Sequence, residues 1–320
     1  ATGWVAVWES TGQDGSMEGI FARRVGANGK SVGDEFPVNQ FTEFSQTFPA
    51  VVALPGGFQA LWQSPSKDGS GTAVVARRFL ADGSPDGDEF VINEELLCDQ
   101  GGPAASGFAD GRLAVTWNSF QQDGSTWGIA ARRFDVAGEP TGVEFLANST
   151  TTNAQVWSTV AALNSTDFVI GWQSLGQDSE DYGVYGQRFG ELYKLGGEFA
   201  LHETEVGEQA DLTLAVIGGG FAAVWHSCPA LGSQEPPQDG DGCGIYWRLF
   251  NSKAVPSFGE TQVNVFTDGN QRRPAMGSGG ETVVVAWESC PIGGLVGAQD
   301  GDACGVFARR FDSSGTALYH

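Results

Sequence analysis

The segment Leu113-Ala114-Val115-Thr116-Trp117-Asn118-Ser119 runs through Gln122-Asp123-Gly124 into Ile129-Ala130-Ala131-Arg132-Arg133-Phe134, and closes with Glu144-Phe145-Leu146-Ala147-Asn148. Each piece is short, rich in β-branched or aromatic residues, and bounded by Gly, Asp or Asn, the composition of strands joined by tight turns. No stretch carries a helical period. The same series recurs along the 320 residues. Trp-x-Ser appears at Trp8, Trp62, Trp117, Trp172, Trp225 and Trp287, with spacings of 54, 55, 55, 53 and 62 residues. An Asp-bearing loop follows each: Asp14, Asp68, Asp123, Asp178, Asp239 and Asp300. A further apolar segment, such as Pro49-Ala50-Val51-Val52-Ala53-Leu54, lies between units.

Four strands therefore repeat: A (the connecting apolar segment), B (to Trp-x-Ser), C (to Arg-Arg-Phe) and D (Glu-Phe-x-x-Asn). A four-stranded antiparallel unit of this length, repeated, predicts an all-β fold, a β-propeller of six blades. A solenoid is the runner-up, with shorter repeats and parallel strands. The units run approximately 1–47, 48–100, 101–156, 157–209, 210–271 and 272–320 within a single domain, 1–320. The count is 5 A, 6 B, 6 C and 5 D strands, because the first unit lacks A and Thr316 to His320 stand where the last D is expected. Seven blades in a longer parent chain is the alternative. Opening on Ala1-Thr2-Gly3-Trp4, the chain reads as a processed or truncated product.

These motifs (Trp-x-Ser, Gln-Asp-Gly, Ala-Arg-Arg-Phe, Glu-Phe-x-Val-Asn) resemble a propeller-like tandem repeat of secreted and surface proteins of bacteria. The resemblance spans almost the whole chain. It implies the fold and an extracellular setting, with no defined activity. The fifth unit departs most, with Trp247-Arg248-Leu249 in place of Ala-Arg-Arg.

Acids outnumber bases 39 to 17, for a net charge of −22. That field repels nucleic acid and anionic membrane, and no apolar run reaches the ~20 residues of a membrane helix. Cys228 and Cys243, then Cys290 and Cys304, flank the B–C loops of units five and six. Neighbouring antiparallel strand ends bring such pairs within bonding reach, so two disulfides and an oxidising, secreted location are expected. Cys98 is left over, buried or half-buried.

Recurrence of the strand B Trp favours packing between blades over a sugar-stacking platform. Off that register, Trp127 is the best exposed aromatic. The second Arg of strand C (Arg24, Arg78, Arg133, Arg188, Arg310) is expected to pair with Glu35, Glu89, Glu144 or Glu198 of strand D, and Leu249 leaves Glu260 without such a partner. The Asp-Gly loops are turn chemistry in the plain reading. The sharper alternative is Ca²⁺ held at Asp14, Asp123, Asp239 and Asp300. The longest loops, Pro229 to Asp241 and Pro291 to Asp302, place ligand recognition at Asp239, Asp241, Asp300 and Asp302.

The Asp-Gly-Ser loops lack the Ser-x-Asp-x-Gly spacing of a sialidase Asp-box. The three His (His202, His226, His320) suggest no nucleophile-base pairing. The leading expectation is thus an extracellular, non-catalytic binding or adhesion module that presents one loop face to a glycan, a surface protein or a small ligand, with oligomers allowed. A carbohydrate-active enzyme, glycosidase or lyase, is the alternative, and a structural surface component the third.

Overall fold

A computed structural model describes residues 3–178, 181–191, 193–230, 238–292, 299 and 303–318. All regular structure among them is β, in six antiparallel sheets whose strands follow chain order. These are the six blades of a β-propeller. The chain divides into two compact units, Ala1–Ala147 and Asn148–His320.

The first unit holds three blades. The first is β1 (Gly3–Thr11), β2 (Glu18–Gly26) and β3 (Ser31–Pro37). The second is β4 (Thr47–Leu54), β5 (Gly57–Pro65), β6 (Thr72–Leu80) and β7 (Phe90–Val91). The third is β8 (Gln100–Gly107), β9 (Leu113–Phe120), β10 (Trp127–Phe134) and β11 (Phe145–Leu146).

The second unit holds the other three. Blade four is β12 (Gln155–Ala162), β13 (Phe168–Leu175), β14 (Tyr182–Phe189) and β15 (Lys194–Ala200). Blade five is β16 (Glu208–Ile217), β17 (Gly220–Cys228), β18 (Gly244–Phe250) and β19 (Thr261–Gln262). Blade six is β20 (Asn270–Gly279), β21 (Thr282–Cys290), β22 (Gly305–Asp312) and β23 (Ala317–Leu318).

Blade one lacks strand A, as the sequence implies. Blade six does possess a strand D: Ala317 and Leu318 pair with Phe311 and Arg310, so the described D strands number six, where five were expected. Prolines set the length of strand D. In blades two, three and five, Pro85, Pro140 and Pro256 follow the C–D turn and keep only an isolated bridge to Phe79, Phe134 and Phe250. A residue without an N–H cannot extend the ladder. Blades one and four have no proline there, and their D strands run seven residues.

Each B-strand Trp from blade two onward is buried, against its predecessor in every case where both blades share a unit. Trp62 joins Ile20 and Val38 of blade one. Trp117 joins Val74 and Ile92 of blade two. Trp225 joins Val169 and Leu201 of blade four, and Trp287 joins Val224 and Val263 of blade five. Packing, not an exposed platform, explains the recurrence. Trp247, in place of the usual Ala of strand C, fills the same joint against Phe311, with ring centroids 4.3 Å apart.

The arginines of strand C and the glutamates of strand D staple these joints through other partners, and Arg132 and Arg248 pair instead with Glu94 and Glu203 of the preceding D–A loops. The first Arg of strand C reaches the preceding blade: Arg77 Nη1 donates to Val38 O at 3.1 Å, Arg132 Nη1 to Ile92 O at 3.0 Å and Arg309 Nη1 to Val263 O at 2.9 Å. The second reaches the following blade, where Arg78 donates to Ala137 O. The Glu of strand D accepts backbone N–H groups from the preceding D–A loop. Glu89 takes Gln40 N at 2.7 Å, Glu198 takes Thr150 N at 3.0 Å, and Glu260 takes Glu203 N at 2.8 Å. The expected Arg–Glu cross-strand pair is thereby corrected. Glu260 is fully engaged although Leu249 replaces the arginine, because its partners lie on blade four.

Candidate functional site

Residues that repeat in every blade are tied into the scaffold. In the first two blades the loop Asp closes its own turn and holds the Asn that ends strand D. Asp14 Oδ1 accepts Ser16 N at 3.1 Å and its Oδ2 accepts Asn39 Nδ2 at 3.2 Å. Asp68 does the same with Ser70 N and with Asn93 Nδ2 at 3.0 Å. Asn93 in turn caps Val74 N at 2.9 Å and donates to Glu95 O and Gln100 Oε1. In blade four His202 replaces the Asn, with its Nε2 against Asp178. Asp123 Oδ1 closes its turn on Ser125 N at 3.0 Å.

Asp239 Oδ1 accepts Asp241 N at 3.3 Å. Its Oδ2 is buried, and burial pushes its pKa above the ordinary carboxylate value, outweighing the Asp241 backbone N–H and the Asn264 side chain that lower it. Asp241 Oδ2 accepts Gly269 N at 2.9 Å. These loop carboxylates serve turns and caps, the role the plain reading gave them. Asp300 and Asp302 lie outside the described residues, as does most of both long loops. Trp127 is half-buried against Phe120, ring centroids 5.1 Å apart.

One position does not repeat chemically although its backbone does. Strand A of blades two to six begins with a buried Gln: Gln46, Gln100, Gln155, Gln209 and Gln271. Two residues on, every strand bulges, and the bulge residue has positive φ. These are Phe48 (53°) and Gly102 (61°) in the first unit, and Trp157 (55°), Asp211 (54°) and Arg273 (52°) in the second. Left-handed backbone at a non-Gly residue costs of order 1 kcal/mol and concentrates at working sites. Here it is kept five times, with an aromatic, no side chain, an aromatic, an acid and a base. The x of Trp-x-Ser varies likewise, and in blade five it is His226.

In the second unit these variable residues meet. His226 is 7% exposed, with Asp211 Oδ2 3.1 Å from its Nδ1 and Glu208 Oε2 3.9 Å from its Nε2. The Nδ1–H direction misses the Asp211 oxygen, leaving that nitrogen without a hydrogen bond, and we treat the contact as an ion pair. Burial opposes charging of the ring, but the two carboxylates outweigh it and raise its pKa. His226 in turn holds Glu208 and Asp211 below their ordinary values, and the Arg273 backbone N–H helps at Asp211. Arg273 Nη1 lies 3.2 Å from Glu288 Oε2, the Trp-x-Ser residue of blade six, and its side chain is 76% exposed. Trp157, at the same register one blade before Asp211, is 48% exposed.

Glu208 and His226 also approach Cys228, and Glu288 approaches Cys290 and Cys304. Both disulfides are formed, Cys228–Cys243 and Cys290–Cys304, with Cα atoms 4.2 Å and 4.4 Å apart. Their sulfurs are therefore spent as metal ligands. Cys98 is half-buried, with Sγ 3.8 Å from Gln121 Oε1. Two cavities of about 600 Å³ and 790 Å³ lie in the first unit. The smaller is lined by the stapling residues Arg78 and Arg132, the larger by Val51, Leu54 and Phe58. Neither is lined by the bulge cluster of the second unit, where His226, Asp211, Glu208, Arg273 and Glu288 converge.

Sequence reading missed this cluster. Its signal was available as the Gln-x-Z pattern of strand A, with Z different in every unit.

No protein-family model and no curated protein matches the sequence. Solved structures do match in fold. A protein of unknown function from Dyadobacter fermentans aligns with a TM-score of 0.58 at 10% identity, over 91% of this chain and 82% of that one. A mutant Trypanosoma rangeli sialidase displaying trans-sialidase activity aligns with 0.51 at 12% identity, over 95% of this chain and 51% of that one. A family-43 endo-arabinanase from Bacillus licheniformis aligns with 0.43 at 12% identity, over 85% and 96%. Similarity at this level establishes the fold. Glycoside hydrolases predominate among these neighbours. The expectation of a non-catalytic binding module is corrected to this extent: none of these neighbours is named as one, and several are named as glycoside hydrolases.

Proposed function

We propose that this protein is a secreted carbohydrate-active enzyme that cleaves glycosidic bonds at the bulge cluster of blades five and six. One observation carries the reading: a scaffold that repeats its structural residues blade after blade sets an ionised Asp211, on strained backbone, against a buried and readily protonated His226. Acid–base chemistry needs two groups whose environments push their pKa values apart. The loop carboxylates Asp14, Asp68 and Asp123 are committed to their own turns.

Asp211 acts as the carboxylate that activates water or attacks the anomeric carbon. Glu288, paired with Arg273, supplies the second carboxyl that glycoside cleavage requires. His226 keeps Asp211 ionised at the start and can take up or return a proton as charge moves. The two disulfides support the secreted location, and the prevalence of glycoside hydrolases among structures of this fold supports the substrate class.

The test is release of reducing ends from a panel of neutral and acidic polysaccharides. Asp211→Asn and Glu288→Gln should each lower turnover at least 100-fold while the folded far-ultraviolet spectrum persists. Wild-type rates in both variants, or no turnover of any glycan by the native protein, would overturn the proposal.

A further inference from the structure

Arg273 is not needed to build its blade. Its first-unit counterparts at the bulge are Phe48 and Gly102, so the fold accepts a ring or nothing at this position. The staple between blades five and six is made instead by Arg309, through Val263 O. What the chain keeps at 273 is a strained backbone that carries a guanidinium into solvent. Only Nη1 is engaged by a side chain, Glu288, and Nε and Nη2 have no partner among the described residues. An open edge of that kind offers two parallel N–H donors, which match the two oxygens of a carboxylate.

The surroundings of this edge are unlike the rest of the molecule. The chain holds 39 acids against 17 bases, yet here Arg272, Arg273 and His226 stand among Glu208, Asp211 and Glu288, base for acid. Arg272 Nε lies 3.0 Å from Cys243 Sγ, and its charge, with that of His226, acts on Glu208. At physiological ionic strength charges screen over ~8 Å. A group on the open edge of Arg273 therefore experiences that guanidinium more than the distant net charge. At the same register Trp157 offers a half-exposed indole, an apolar plate suited to the C–H face of a pyranose.

We infer that the substrate of this site is an anionic glycan, with the acidic group of one sugar held by Arg273 and the face of another sugar unit set on Trp157. The inference rests on the glycan-cleaving reading of the same cluster. The planar fork favours a carboxylate, as in a uronic acid, and a sulfate ester offers the same charge with a different shape.

The experiment measures binding apart from turnover. Titration calorimetry with the Asp211→Asn protein uses three oligosaccharides of equal length: an oligouronate, its carboxyl-reduced counterpart and a sulfated neutral oligomer. The oligouronate should bind at least 10-fold tighter than the reduced form. Arg273→Ala should abolish that ratio, and Arg273→Lys should restore part of it, since a point charge replaces the fork. Trp157→Ala should weaken the oligouronate and its reduced form by similar factors.

Tightest binding of the sulfated oligomer would identify the anion as sulfate and uphold the anionic class. Equal affinity for all three, no measurable binding, or a preference that survives Arg273→Ala would overturn the inference. Glycosidic activity confined to neutral polysaccharides would refute it while leaving the proposed enzymatic function intact. Binding of the oligouronate without cleavage of any glycan would do the reverse.

Discussion

At the residue scale the molecule separates side chains that hold it together from side chains it can vary. Asn93 is 4% exposed and serves four partners: Asp68, Val74 N, Glu95 O and Gln100. Asn93→Ala leaves a backbone donor and two side-chain acceptors unsatisfied, which should cost about 3 kcal/mol in urea unfolding. His226 makes a pH-dependent contribution. Its pKa is raised above the ordinary 6.5, so its stabilisation is complete below that pH and is lost as pH rises through the folded value. Glu208 and Asp211 are held below 4.5 and 3.8, so theirs is complete above those values and is lost as pH falls. The cluster stabilises most between about pH 4.5 and 6.5. Both carboxylates are 43% exposed, and solvent screening limits the effect to about 1 kcal/mol. Melting curves of His226→Gln should fall furthest below wild type in that window and converge on it as pH rises through the folded-state value of His226.

At the scale of the element, Trp-x-Ser made strand B legible because a large ring at one register can only belong to a joint. Trp225→Ala should cost about 3–5 kcal/mol by cavity formation between blades four and five, read as a lower urea midpoint. A cost near that of an exposed substitution would refute the packing role. Strand C was equally plain, but the destinations of its arginines were not. Alternation along a strand tells which face a side chain leaves from, and not which neighbour it finds. Arg77 and Arg78 diverge to the blades before and after their own, which no reading of one strand could supply. The last strand D was missed because Ala317–Leu318 has none of the Glu-Phe pattern and is recognisable only by its pairing with Phe311 and Arg310. The proposed site was the least legible part. Its members come from a bulge and from the variable x of Trp-x-Ser, the two places where the repeat stops repeating, and a search for recurring motifs passes over them.

For the whole molecule, the disulfides and the charge set the conditions of use. Each disulfide closes a loop of 14 or 15 residues, worth about 3 kcal/mol in the chain-entropy model. Reduction should therefore lower the melting temperature by several degrees, and an unchanged value would mean the bridges are idle. The charge of −22 repels itself, and about 1 M NaCl shortens screening to ~3 Å. Melting should occur no lower at that salt than at 0.1 M, and precipitation or earlier unfolding would count against this.

The glutamate that grips the preceding loop has one more consequence. Each of blades two to five carries an acid that grasps the loop before it, and the loops of blades one to four carry the amides that are grasped. A tandem duplication thus arrives already able to dock at both sides, and no new interface has to be invented. Blade number in such chains can change by copying alone, while the few unrepeated side chains are free to acquire a chemistry.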